Sequence, residues 1–170
     1  MRNNLMFFIF LFFLQVFVLN KVLFFNYVII SPIVMILLLY KYQKDSKEGL
    51  IVSFLLGLLF DIFNDSLGLY SLTCVLLVYF RNLWVLKIIG EEKTEELNLL
   101  SVHALGGFQF FVYAFPIIIM FYSILSLFES GEYLSLNNFL FISLSSISNF
   151  VLIIIFQYLF VNNSISNEWR

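Results

Sequence analysis

The chain has 170 residues, of which 62% are apolar and 12% charged, with a net charge of −2 at neutral pH. Soluble domains carry about 25% charged residues, so a water-soluble fold is excluded, and at about 20 apolar residues per crossing there is room for five or six membrane helices and no separate soluble domain. No basic stripe points to nucleic acid, and one cysteine, Cys74, excludes an intramolecular disulfide, a redox pair or a thiolate metal cluster.

Apolar runs and polar breaks predict an all-α polytopic protein, a single integral membrane domain over residues 1–170, with six spans at 5–19, 28–40, 49–63, 67–86, 104–128 and 139–161. The first run is followed by Asn20 and Lys21 and by no small-residue cleavage site, so it reads as a retained first span. The first three runs are short for a hydrocarbon core, which leaves a five-span or re-entrant variant open. Cys74, in the fourth run, reads as a small buried apolar side chain. Between the fourth and fifth runs, Glu91, Glu92, Glu95 and Glu96 recur around Lys93 as a solvated linker or a short amphipathic surface helix. His103 stands alone at the start of the fifth run and reads as an interfacial hydrogen-bonding residue, not a metal ligand. The sixth run carries Ser143, Ser145, Ser146, Ser148 and Asn149. Ser145 and Asn149 share one helix face at i, i+4, where polar side chains in lipid mark helix packing or interhelical hydrogen bonds, with a ligand pocket as the lesser reading.

Positive charge concentrates in short cytoplasmic connections. Eight of the nine Lys and Arg residues fall in one alternating set of connections: Arg2, Lys41, Lys44, Lys47, Arg81, Lys87, Lys93 and Arg170. Lys21 falls in the other. This predicts cytoplasmic N- and C-termini. Intramembrane hydrolysis would need a Ser–His or Ser–Lys pair or two metal ligands on one face, and transfer chemistry would need charged outer loops. The sequence shows neither pattern, so no catalytic, cofactor-binding or metal residue is assigned.

The most informative stretch is residues 57–72, GLLFDIFNDSLGLYSL, which places Asp61 inside an apolar run and turns directly into the next. A carboxylate at membrane depth costs several kcal/mol on insertion scales (about 2.5–3.5). Asp61 lies about 18 Å up a helix that begins near Gly49. Either it hydrogen-bonds the hairpin turn while Asn64, Asp65 and Ser66 cap the next helix, or it is a required charge, for which Lys21 is better placed in depth than Arg81. Gly57 and Gly68 permit close approach of the two helices around the turn.

The motif Gly57-Leu-Leu-x-Asp61 followed by Leu67-Gly68-x-x-Ser-Leu72 resembles the signature of the MreD family, rod shape-determining membrane proteins of bacteria. Further resemblance lies in Gln15-Val16-x-Val18-Leu19-Asn20 and in the stretch from Asn26-Tyr27 to Ser31-Pro32. The likeness covers the first ninety or so residues; beyond them it is one of hydropathy. It implies a non-enzymatic inner-membrane subunit of the elongasome that associates with the bitopic protein MreC, with the MreB filament, the RodA glycosyltransferase and a class B penicillin-binding transpeptidase in the same assembly. It also implies a fold similar to the S-components of energy-coupling-factor transporters, which makes a small-solute-binding transporter subunit the rival reading. S-components dock through small residues on their first helix, whereas the run LMFFIFLFFLQVFVL contains no Ala, Gly or Ser. The interaction candidates are Gly57, Asp61, Asp65, Gly68, Ser145 and Asn149.

Overall fold

A computed structural model describes residue 13 and residues 28–42, 47–97, 99–130 and 135–160. The first predicted span apart from Phe13, together with Arg2, Lys21, Lys44 and Arg170, lies outside the described residues, and so do residues 131–134 of the predicted outer connection at 129–138. What is described is all-helical. Three helices, Leu69–Ile88, Gly107–Phe128 and Leu136–Leu159, are long and apolar enough to cross a membrane, which is compatible with a membrane protein.

The predicted run at 28–40 is not one continuous helix. Residues 28–31 are non-helical, and helix α1 occupies Ile33–Leu39. The cause is Pro32. A proline disfavours helical geometry in the residue before it and has no N–H to offer a preceding turn, so a helix can start at Pro32 but not run through it. At 1.5 Å per residue α1 is about 10 Å long, a third of a hydrocarbon core. All seven of its side chains are buried.

Helix α2 (Glu48–Asn64) and helix α3 (Leu69–Ile88) form an antiparallel hairpin through a tight turn. Asp65 ends α2 in the left-handed conformation at φ 53°, and Gly68 starts α3 at φ 90°, a value that favours glycine. Helix α4 (Glu91–Glu96) is a short charged turn with Glu91, Glu92 and Lys93 exposed and Thr94 buried, its hydroxyl donating to the Gly90 carbonyl. The run at 104–128 is also interrupted. Helix α5 (Val102–Leu105) stops at Gly106, whose φ of 84° breaks the helical path, and helix α6 (Gly107–Ser130) begins beyond it. Helix α7 (Leu136–Phe160) closes the described chain.

Helix α3 packs on α2 and on α6, and α6 packs on α7, while α1 lies against α3 and α6. Phe60, Leu77, Val78, Phe110, Ile118 and Phe121 fill the interior around α1 together with the buried Cys74. The outer faces are equally apolar. Ile51, Leu55, Leu59 and Ile62 form an exposed stripe on α2, and Leu140, Leu144, Ile147, Val151 and Ile155 form one on α7. Soluble monomers rarely expose contiguous apolar patches of such extent.

Candidate functional site

Two polar clusters sit within this apolar body. The first is the α2–α3 turn. Asp61, in the last turn of α2, accepts hydrogen bonds on Oδ1 from Ser66 Oγ at 2.6 Å and from the Tyr70 N–H at 2.9 Å. Its Oδ2 accepts the Ser71 N–H at 2.9 Å. Tyr70 and Ser71 are the second and third residues of α3, whose amides have no partner within their own helix. The N-cap position belongs to Gly68, which has no side chain, so the carboxylate of the preceding helix does the capping and sets its charge against the positive end of the α3 dipole.

The expectation that Asn64, Asp65 and Ser66 cap α3 is therefore corrected. Asn64 Nδ2 donates back to the Phe60 carbonyl at 3.0 Å, Asp65 is the exposed C-cap of α2, and the Ser66 hydroxyl is spent on Asp61. Gly57 lies one turn before Asp61 on the same helix. A Cβ there would sit 2.4 Å from Ser71 Cα, 2.7 Å from Ser71 N and 2.8 Å from the Tyr70 carbonyl oxygen. Thus the two backbones meet at the residues whose amides Asp61 holds. On the other side of the turn, Ser71 Oγ donates to the Gly68 carbonyl at 2.8 Å.

The second cluster surrounds the broken segment at 28–40. Non-helical backbone in an apolar interior must find hydrogen-bond partners or cost several kcal/mol per group. Here side chains of three other helices supply them. At its start, the Ile29 N–H donates to Ser145 Oγ at 3.2 Å and the Ser31 N–H donates to Asn149 Oδ1 at 2.8 Å. The Ile29 carbonyl accepts from Asn149 Nδ2 at 2.8 Å and from the Tyr122 hydroxyl at 3.0 Å. At the far end, the Leu37 and Tyr40 carbonyls accept from the two terminal nitrogens of Arg81 at 2.9 and 2.8 Å, and the Leu38 carbonyl accepts from the Tyr113 hydroxyl at 2.8 Å. These carbonyls form the negative end of α1, where a cation is favoured.

Ser145 and Asn149 are thus brought together on the broken segment. Gly57, Asp61, Asp65 and Gly68 form the separate turn cluster, since Arg81 follows Ser71 by ten residues of α3, about 15 Å. Arg81 was counted among loop cations; the structure places it inside the bundle at 1% exposure, so it drops out of the topological tally and leaves seven basic residues against Lys21. No carboxylate among the described residues pairs with it. Its signal was its position within the run at 67–86. Tyr113 and Tyr122 were not singled out either, although both stand in mid-run, away from the interfaces where tyrosine usually sits.

Two further supports come from the ends of α6 and α7. Gln157 Oε1 accepts the Val102 N–H at 2.7 Å, and His103 stacks edge-on against Tyr158 with ring centroids 4.9 Å apart. Pro116 interrupts α6, so the Val112 carbonyl has no N–H four residues on; Trp84 Nε1 from α3 donates to it instead, at 3.2 Å. Among the described residues, Arg81 Nε, Ser146 Oγ and Gln157 Nε2 are buried polar atoms without a partner.

The arrangement is one of clamps. The Ile29 and Ser31 N–H groups and the Ile29, Leu37, Leu38 and Tyr40 carbonyls, which a broken helix could offer to a solute, are already bonded to the chain's own side chains. No protein-family model, curated protein or solved structure matches this chain.

Proposed function

We propose that the chain is a non-enzymatic subunit of a bacterial cell-shape complex, similar to MreD, that works by association with an MreC-like single-span partner and the wall-synthesis machinery. In this reading it is a multi-pass inner-membrane protein with six spans and cytoplasmic termini. One observation carries the proposal: the residues on which the resemblance rests are those that lock the hairpin. Gly57 allows the backbone contact, Asp61 caps α3, and Gly68 and Ser71 shape the turn. A rigid hairpin presents the outer stripe of α2 as a fixed face for a partner helix. Small residues and defined helix faces, more than hydrophobicity, select partners in lipid.

The rival, a solute-binding transporter subunit, draws on the broken segment, since interrupted helices line binding sites in transporters. The side chains already occupying the Ile29, Leu37, Leu38 and Tyr40 carbonyls weigh against it. The deciding experiment places a photocrosslinking residue at Leu55 on α2 or at Val151 on α7, followed by purification in mild detergent and identification of the captured chains. An MreC-like partner crosslinked from Leu55, and lost in Gly57→Leu, is the expected result. Capture of an ATPase pair without any wall-synthesis partner would overturn the assignment.

A further inference from the structure

Helices α3 and α6 run antiparallel, with Gln109 Nε2 reaching the Ile88 carbonyl at 3.4 Å and Trp84 meeting Val112 further along. Between them lies a recess of about 310 Å³ lined by Phe80, Leu83, Trp84, Lys87, Pro116, Ile117 and Met120. Pro116, whose ring lacks an N–H, lines it beside Trp84, whose indole N–H donates to the Val112 carbonyl. Ile117, at 3% exposure, forms the floor, and Phe80 and Leu83 are exposed walls.

The recess is polarised along the helix axis. Its walls are apolar from Phe80 to Trp84, and its one charge is Lys87, in the last turn of α3 and exposed. Seven residues separate Phe80 from Lys87, about 10 Å of helix. Lys87 forms no ion pair among the described residues, although the acidic α4 begins only four residues later. A cation at the end of a spanning helix lies at headgroup depth, so the surface offers a slot for a hydrocarbon chain surmounted by a positive charge.

We propose that this recess binds one anionic phospholipid, an acyl chain lying against Trp84, Pro116 and Ile117 and the phosphate headgroup meeting Lys87. The inference is independent of the proposed cell-shape role. It also places a reporter in the site. The chain has two tryptophans, Trp84 and Trp169, so Trp169→Phe leaves Trp84 as the sole tryptophan, excited selectively at the red edge where tyrosine does not absorb.

The full-length Trp169→Phe protein is reconstituted in phosphatidylcholine vesicles that contain, at one low mole fraction, brominated phosphatidylglycerol or brominated phosphatidylcholine. Bromine quenches tryptophan on contact. Trp84 should show a preference of roughly five-fold for the anionic lipid, the size expected for one lysine at an anionic headgroup. Lys87→Gln should erase the preference while leaving quenching by phosphatidylcholine unchanged, Lys87→Arg should keep it, and Lys93→Gln should not alter it. Met120→Phe, which narrows the recess, should lower quenching by both lipids. Equal quenching by the two lipids in the Trp169→Phe protein, or a preference that survives Lys87→Gln, would overturn the proposal.

Discussion

Replacing Gly57 by alanine adds one methyl group at the point where the hairpin has no room for it. The new Cβ would lie 2.4 Å from Ser71 Cα, whereas carbon atoms pack best at about 3.5–4.0 Å. Its three near neighbours are all backbone atoms, so no side chain can rotate away, and α2 and α3 must part by about 1 Å. Overpacking of this kind costs about 1–3 kcal/mol. Separation also stretches the Asp61 bonds to Tyr70 and Ser71, now 2.9 Å each, and losing one charge-assisted bond adds about 1.5–3 kcal/mol. A total of about 2.5–6 kcal/mol is expected. The measurement is equilibrium unfolding in mixed micelles, performed as a double-mutant cycle with Asp61→Asn. Asparagine has one acceptor oxygen and sets an NH₂ against the second amide, so alone it should cost about 2 kcal/mol. Because both changes disable the same contact, the double variant should be less destabilised than the sum by at least about 1 kcal/mol. An unchanged Gly57→Ala protein, or strict additivity with Asp61→Asn, would refute the lock.

Arg81→Lys should be destabilising despite keeping the charge, by about 2 kcal/mol, because an ammonium cannot copy a planar fork that reaches two carbonyls at once; a midpoint of unfolding equal to that of the parent would contradict the clamp on α1. Trp84→Phe should cost about 1 kcal/mol by orphaning the Val112 carbonyl. The same change in a Pro116→Ala background should cost less, since the restored N–H takes over that carbonyl, and equal losses in both backgrounds would show that the indole bond has no such role.

The long helices were legible as apolar runs: residues 67–86, 104–128 and 139–161 anticipate α3, α6 and α7 because a run of twenty or more predominantly apolar residues reads as a candidate membrane helix. The break in the run at 28–40 was not read, although Pro32 and the β-branched Ile29 and Ile30 before it carried a local signal. Hydropathy cannot show it, because a buried non-helical segment is as apolar as a helix. Asp61 was found from its cost in lipid, and its role in the turn was one of the two weighed, but its actual partners depend on a Gly68 cap that lacks a side chain. Arg81 was misassigned because a cation six residues inside a run looks like a loop charge until the carbonyls of α1 are placed beside it. Ser145 and Asn149 were visible as a polar face; their target, a stretch of backbone more than a hundred residues away, was beyond any local pattern.

That distance has a consequence for how the protein is made. The amide of Ser31 waits for Asn149, 118 residues later in the chain. At about 5–20 residues per second of synthesis, its partner is polymerised roughly 6–24 s after it. Throughout that interval the Ile29 and Ser31 amides lack the α7 acceptors that they have in the finished fold. The clamp at the start of the segment is therefore completed only once α7 has been made. Slow translation or a stalled α7 would prolong that interval.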